Sequence, residues 1–343
     1  MNGHGTGAKE AAAKLEFILK RRGLPEADAL QNNLEAAIST MLHENNRPRT
    51  RSGKAGSLVR LSPGGYYIIV PDLHGRTGFF NTVMNWKGFS GRTVLTDMEE
   101  GFARVICVGD AFHSEIRGKK RWGRAMQEWI GGYKKHRNID QEMKENLGLL
   151  EMIATVKTAF PDNFHFLKGN HENIANEQAE GNFPFRKYAH EGEMVKLWVQ
   201  MFMGMDVFDT IYKWEKTLPL LAEGPDFLVC HSEPGRVIGR DEVINAYDNS
   251  EVIYSLTWTD NDRAESGSAA GTLNNFDKHI PASRIFGGHR AVKGLYSSRQ
   301  DGRYIQINRP DKWLIAAFTD MQVFNPERDI IRLDEGVQSG KNT

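Results

Sequence analysis

The chain has 343 residues, 44 basic and 44 acidic side chains, and 40% hydrophobic residues. That length supports one large domain or two small ones around a sizeable core, and zero formal net charge excludes a global basic signature for nucleic acid. No apolar run nears the roughly 20 residues that cross a bilayer, so no membrane partner is expected.

Residues 8–20 (AKEAAAKLEFILK) combine strong helix formers with an apolar recurrence near 3.6, and Gly23-Leu24-Pro25 ends them. A second helix is expected over Ala27–Glu44. The basic polar stretch Asn45–Ser57 then reads as an exposed linker, making residues 1–57 a helical N-terminal extension. The start MNGHGTGAKEAAAKLEF lacks the basic-then-apolar layout of a secretory signal. Cys107 and Cys230 sit in apolar runs, as reduced buried thiols would, and a cytoplasmic location is expected.

From residue 58 to 335 the pattern becomes strand, polar loop, helix. Tyr66–Val70 is followed by Pro71-Asp72-Leu73-His74-Gly75 and a helix expected over Thr77–Trp86. Val105–Val108 is followed by Gly109-Asp110. The strand around Phe164–Phe166 releases Gly169-Asn170-His171-Glu172. Phe227–Cys230 is followed by His231, and Arg284–Phe286 by Gly287-Gly288-His289-Arg290. Short, wholly apolar strands are expected in a sheet covered on both faces, so the fold class is a layered α/β sandwich. A helical, partly basic insertion spans 118–160, with Arg117–Arg124 and Lys134–Arg137 interleaved with Trp122 and Trp129; it reads as solvated helix or as a nucleic-acid surface. Glu265–Leu273 reads as a flexible loop and 336–343 as a disordered tail.

Asp72 and His74, two apart in extended backbone, project to one side. Asp110, Asn170, His231 and His289 leave four other strand ends. Three imidazoles, two carboxylates and an amide suit manganese, iron or zinc, with no thiolate to select a soft metal. Six donors for two ions leave positions open for water and substrate, as a catalytic site requires. Two such ions can activate a water between them and clamp a phosphoryl group. His171, beside Asn170, is then the candidate general acid.

With these motifs in order, 72–75, 109–110, 169–172, 231 and 288–289, the chain resembles the calcineurin-like metallophosphoesterase superfamily. It is most similar to the phosphoprotein phosphatase group of serine/threonine phosphatases, through FPDNFHFLKGNHE (160–172), KTLPLLAEGPDFLVCHSEP (216–234) and SLTWTDND (255–262). The resemblance implies a four-layer αββα sandwich and two divalent or trivalent metal ions. Asp72, His74 and Asp110 would hold the first; Asp110, Asn170, His231 and His289 would hold the second.

The second motif departs from the family's Gly-Asp-x-x-Asp-Arg-Gly. His113 stands where the Asp that orients the acid is expected, and Ser114 where the phosphate-gripping Arg is expected. Glu115 or His113 could partner His171, and Arg263 or, second, Arg290 could supply the missing guanidinium. The implied activity is a phosphomonoesterase on phosphoprotein or a phosphorylated small molecule. The alternatives are a phosphodiesterase or phosphoanhydride hydrolase, acting on a dinucleoside polyphosphate or nucleic-acid end, and a catalytically silent metal-binding scaffold.

Overall fold

The computed structural model describes residues 6–279 and 281–334; the tail expected at 336–343 lies outside them. Its strands are β1 (Leu58–Arg60), β2 (Tyr66–Val70), β3 (Ala103–Cys107), β4 (Phe164–Phe166), β5 (Leu221–Glu223), β6 (Phe227–Cys230), β7 (Arg284–Gly287), β8 (Ser297–Arg299), β9 (Tyr304–Gln306), β10 (Leu314–Thr319) and β11 (Ile330–Arg332). One sheet runs β11-β10-β2-β3-β4 and the other β1-β5-β6-β7-β9-β8. Strands β2, β3 and β4 are parallel, with Ile68 opposite Val105 and Val105 opposite Phe164; β6 and β7 are also parallel. The parallel strands of each sheet therefore end side by side, and the loops leaving them are neighbours.

Side-chain alternation along the strands builds the layers. In β2, Tyr66, Ile68 and Val70 face a helical layer, whereas Tyr67 and Ile69 join Val229, Phe286 and Phe318 between the two sheets. The first helical layer comprises α1 (Thr6–Lys20), α2 (Ala27–His43), α3 (Thr77–Asn85), α4 (Val94–Glu99), α5 (Glu115–Ile130), α6 (Arg137–Ala159), α7 (Glu191–Phe202) and α8 (Met205–Thr217). On the far sheet lie α9 (Arg240–Ile244), α10 (Ser250–Thr257) and α11 (Ser268–Asn275), while α12 (Pro326–Asp329) precedes β11. Leu228, Cys230 and Ile285 pack there against Leu256, Leu273 and Phe276. The order helix, sheet, sheet, helix is the four-layer α/β sandwich read from the sequence. Both cysteines are buried and free, and no helix among the described residues is long and apolar enough to cross a membrane.

Several expectations are refined or corrected. Asn45–Ser57 is exposed at Asn45, Arg49 and 51–54 but is anchored, not loose: Arg47 is buried, and its guanidinium donates to Gly56 O (2.8 Å), Thr217 O (2.8 Å) and Tyr247 Oη (2.6 Å). The helices before it are equally committed, since Ala8, Ala11, Leu15 and Ile18 of α1 and Leu30, Leu34 and Ile38 of α2 belong to the same core as β2 and β3. Most of Glu265–Leu273 is not loop but the start of α11, because Ala269 and Leu273, four apart, share the buried face. The basic stretch 117–124 is the solvated helix that was one of its two readings: Lys119, Lys120 and Arg124 are exposed, while Arg121 is bonded to Glu142 and Glu145 of α6 and Arg117 to Glu145 (2.5 Å). Trp122 is fully buried against this pair of helices.

One buried ion cluster gives the fold a sign of pH dependence. Glu44 ion-pairs with Lys157, beside His165 and Arg47. Burial alone would raise the Glu44 carboxyl, but His165 and the Lys157 ammonium outweigh it and hold it down to about 2. The folded value lies below the unfolded one, so the Glu44 contribution is intact above about pH 4.5 and drains away toward pH 2, whereas burial lowers Lys157 and makes its charge a cost that the pair offsets. Burial also lowers His165, so its protonation in acid acts in the same direction. Urea unfolding at pH 5 and pH 3 is expected to show a steeper loss in the wild type than in Glu44→Gln. Parallel losses would assign the acid sensitivity elsewhere.

Candidate metal centre

Each donor lies just past the end of a strand, and three of the six, His74, Asp110 and His289, sit where the chain turns left-handed, as do the neighbouring His113 and Glu115. His74 (φ 45°), Asp110 (58°), His113 (67°), Glu115 (48°) and His289 (65°) all adopt backbone that non-glycine residues avoid, and such strain gathers at functional sites. Hydrogen bonds between strand ends over-determine it: His74 N donates to Asp110 O (2.6 Å), Gly75 N to Ala111 O (2.8 Å) and Gly288 N to His231 O (2.9 Å). Two glycines let the loops close. A Cβ on Gly169 would fall 2.2 Å from Asp110 Oδ1, and one on Gly288 1.9 Å from Asp72 Oδ1.

The six donors named from the sequence come together, all buried. Asp110 Oδ2 is central: it lies 3.8 Å from His74 Nε2 and 3.5 Å from His231 Nε2. On one side His74 Nε2 is 3.8 Å from Asp72 Oδ2. On the other, Asn170 Oδ1 is 2.9 Å from His231 Nε2 and 3.0 Å from His289 Nδ1, and the two imidazole nitrogens are 3.2 Å apart. His74 Nδ1 and His231 Nδ1 face the carbonyls of Phe112 (3.1 Å) and Val108 (3.0 Å). An N–H donated there leaves each Nε2 with its lone pair turned into the cluster, the arrangement of a metal-ligating imidazole.

The electrostatics say what is wanted in the middle. Burial, with repulsion from Asp110, pushes the Asp72 carboxyl up to about 7, and burial lifts Asp110 well above the carboxylate range. Burial also drives His74 down to about 4 and His231 and His289 below their ordinary value, so the imidazoles are neutral. Carboxylates short of positive charge, converging with neutral nitrogens and an amide oxygen, fit cations. Two groups of three, Asp72, His74 and Asp110, and His74, Glu115 and His171, each present donor atoms within 4.8 Å of one another.

His171 lies beside this cluster, with its Nε2 3.8 Å from Asp110 Oδ2 and its backbone N–H donated to Asp110 Oδ1 (3.0 Å). Its Nδ1 is 2.7 Å from His113 Nδ1, so of the two partners left open by the sequence the structure pairs it with His113. Glu115 instead binds Lys187 Nζ (2.6 Å) and lies 3.9 Å from His74 Nε2. Ser114, where an arginine was expected, gives both N–H and Oγ to the buried Glu142. A cavity of about 190 Å³ opens onto Asn170, His171 and His289, with Arg290 on its wall. Arg263 is not there; it lines a separate cavity with Tyr254 and Thr259. The order of preference between the two arginines is therefore reversed.

The sequence reading names Glu172 only as part of its motif, without a role, and misses Asn308 and Phe185. Glu172 accepts from Asp110 N (2.9 Å), Ala111 N (2.7 Å) and Gly169 N (2.6 Å), fixing two donor loops together. Its position directly after Asn170-His171 was the available signal. Asn308 donates to Asp72 Oδ2, and Phe185 stacks on His113 (4.8 Å, 14°) and packs on His171 (3.9 Å). Nothing local in the sequence marks either. Glu172→Gln places an N–H₂ against backbone N–H groups and is expected to cost about 2–4 kcal/mol by chemical denaturation. A change under about 0.5 kcal/mol would show that the loops hold without it.

No family model and no curated protein matches the sequence. Among solved structures, a protein serine/threonine phosphatase from Saccharomyces cerevisiae with similarity to human phosphatase PP5 matches with a TM-score of 0.56 at 16% identity, over 90% of this chain and 89% of that one. A cold-active protein-tyrosine phosphatase of a psychrophile Shewanella species matches with a TM-score of 0.47 at 11% identity, over 76% and 77% of the two chains. The two-sheet sandwich of this chain, with its donors gathered at the strand ends, shares the fold of that serine/threonine phosphatase.

Proposed function

We propose that this protein is a metal-dependent phosphohydrolase that cleaves phosphomonoesters of a protein or small molecule. The observation that carries this reading is the position of Asp110 Oδ2, within 3.8 Å of both His74 and His171 and 3.5 Å of His231. One carboxylate serves two donor groups, with a non-ligand imidazole at their side. Asp72, His74 and Asp110 would hold one ion and Asp110, Asn170, His231 and His289 a second, of manganese, iron or zinc. Bound ions would supply an activated water and neutralise charge on the phosphoryl oxygens.

The chain's own residues do the rest. With Nδ1 held by His113, His171 has Nε2 free to give a proton to the leaving ester oxygen. Phe185 covers the two rings and keeps water from the proton. Purified protein loaded with Mn²⁺ is expected to hydrolyse para-nitrophenyl phosphate in preference to its bis-ester. A preference for the bis-ester would move the reading to a phosphodiesterase, and metal binding with no turnover of either would leave a metal-binding scaffold.

A further inference from the structure

Resting on that reading, we propose that Arg186 is the guanidinium that receives the substrate's phosphoryl group, in place of the arginine absent at Ser114. Three cations line the cavity beside Asn170, His171 and His289: Arg186, Lys187 and Arg290. Two are already matched. Lys187 Nζ is 2.6 Å from Glu115 Oε1, and Arg290 Nε is bonded to Asp260. Nearby arginines on the metal side are also committed: Arg76 to the carbonyls of Asp72, Leu73 and Lys312, and Arg117 to Glu145 and His74 O. Arg186 has neither ion pair nor hydrogen bond among the described residues, and its side chain is exposed at the cavity.

Its backbone, in contrast, is fixed on both sides. Phe185 O accepts from Gly192 N (3.1 Å), while Lys187 N and Tyr188 N both donate to the fully buried Glu191 (2.9 and 2.6 Å). The Phe185 ring is anchored on His113 and His171. A free guanidinium on a pinned segment is an available anion site: the backbone needs no ordering when a dianion arrives, the charge has no competing partner, and the planar fork matches two phosphate oxygens. The second motif of this chain has handed the contact to the segment that follows His171.

Binding of inorganic phosphate to the Mn²⁺-loaded protein by calorimetry, with steady-state kinetics on para-nitrophenyl phosphate, tests this. Arg186→Ala is expected to weaken phosphate binding and raise KM by about tenfold to a hundredfold. Metal content should be unchanged and the loss in kcat smaller, with Arg186→Lys recovering part of the affinity and Arg263→Ala staying within about twofold of wild type. Wild-type phosphate affinity in Arg186→Ala, or equal recovery with alanine and lysine, would overturn the assignment while leaving the hydrolase reading standing. Arg186-dependent phosphate binding without turnover would do the reverse, and a wild type that binds no phosphate would overturn the assignment outright.

Discussion

Replacing His171 by alanine is expected to lower kcat by about 10²–10⁴-fold, or roughly 3–5 kcal/mol of barrier, while bound metal stays at the wild-type level. Metal content separates the two outcomes, because distance alone does not: His171 Nε2 lies 3.8 Å from Asp110 Oδ2, as His74 Nε2 does, and its donor atom falls within 4.8 Å of those of His74 and Glu115. Its Nδ1 is committed to His113, which, as an imidazole, orients the ring without lending it a negative charge. Burial first, then the neighbouring His74 and His113, holds His171 well below its ordinary value. A substrate with a good leaving group needs less protonation, so the loss should be smaller for para-nitrophenyl phosphate than for phenyl phosphate. Elemental analysis showing metal lost along with activity would instead make His171 a ligand.

Asp110→Asn should be the more damaging change, lowering turnover by at least about 10³-fold and lowering bound metal as well. The substitution keeps the shape of the side chain and removes one negative charge, along with an oxygen shared by both donor groups. An amide N–H₂ there would face the lone pairs of His74 and His231. The apo fold should not suffer, because burial already makes the ionised Asp110 costly. Differential scanning measurements are therefore expected to show an unchanged or higher melting temperature without metal, and loss of the rise that Mn²⁺ gives the wild type. A variant that keeps both the Mn²⁺-induced rise and two equivalents of metal would remove Asp110 from the centre of the site.

The layers and the clustering of donors were legible because both follow from local pattern. Tyr66–Val70 and Phe227–Cys230 begin and end where their apolar runs do, since a wholly buried strand tolerates no polar residue inside it. The donors could be read as a set because each directly follows such a run. What stayed hidden depends on contacts distant in sequence. Arg47 looks like one of several linker cations until Thr217 and Tyr247, 170 and 200 residues away, supply its acceptors. Ala269 and Leu273 look like loop residues until the far sheet gives them a face to cover. The pairing of His171 with His113 rather than Glu115 was decided by Lys187, which takes the carboxylate, and by Phe185, which stacks on the imidazole. Both come from a stretch, 173–190, that has neither helix nor strand to announce it.

Arg47 also bears on how the molecule can move. Its guanidinium grips the end of α8 in one outer layer and Tyr247, between α9 and α10, in the other. It acts as a rivet driven through the edge of the sandwich, and shear of one outer layer past the other would break bonds buried from water. The segment around Arg186 is tied to the first of these layers by the Lys187–Glu115 pair and the Phe185 ring, so the cavity wall is carried with that layer and not with the other.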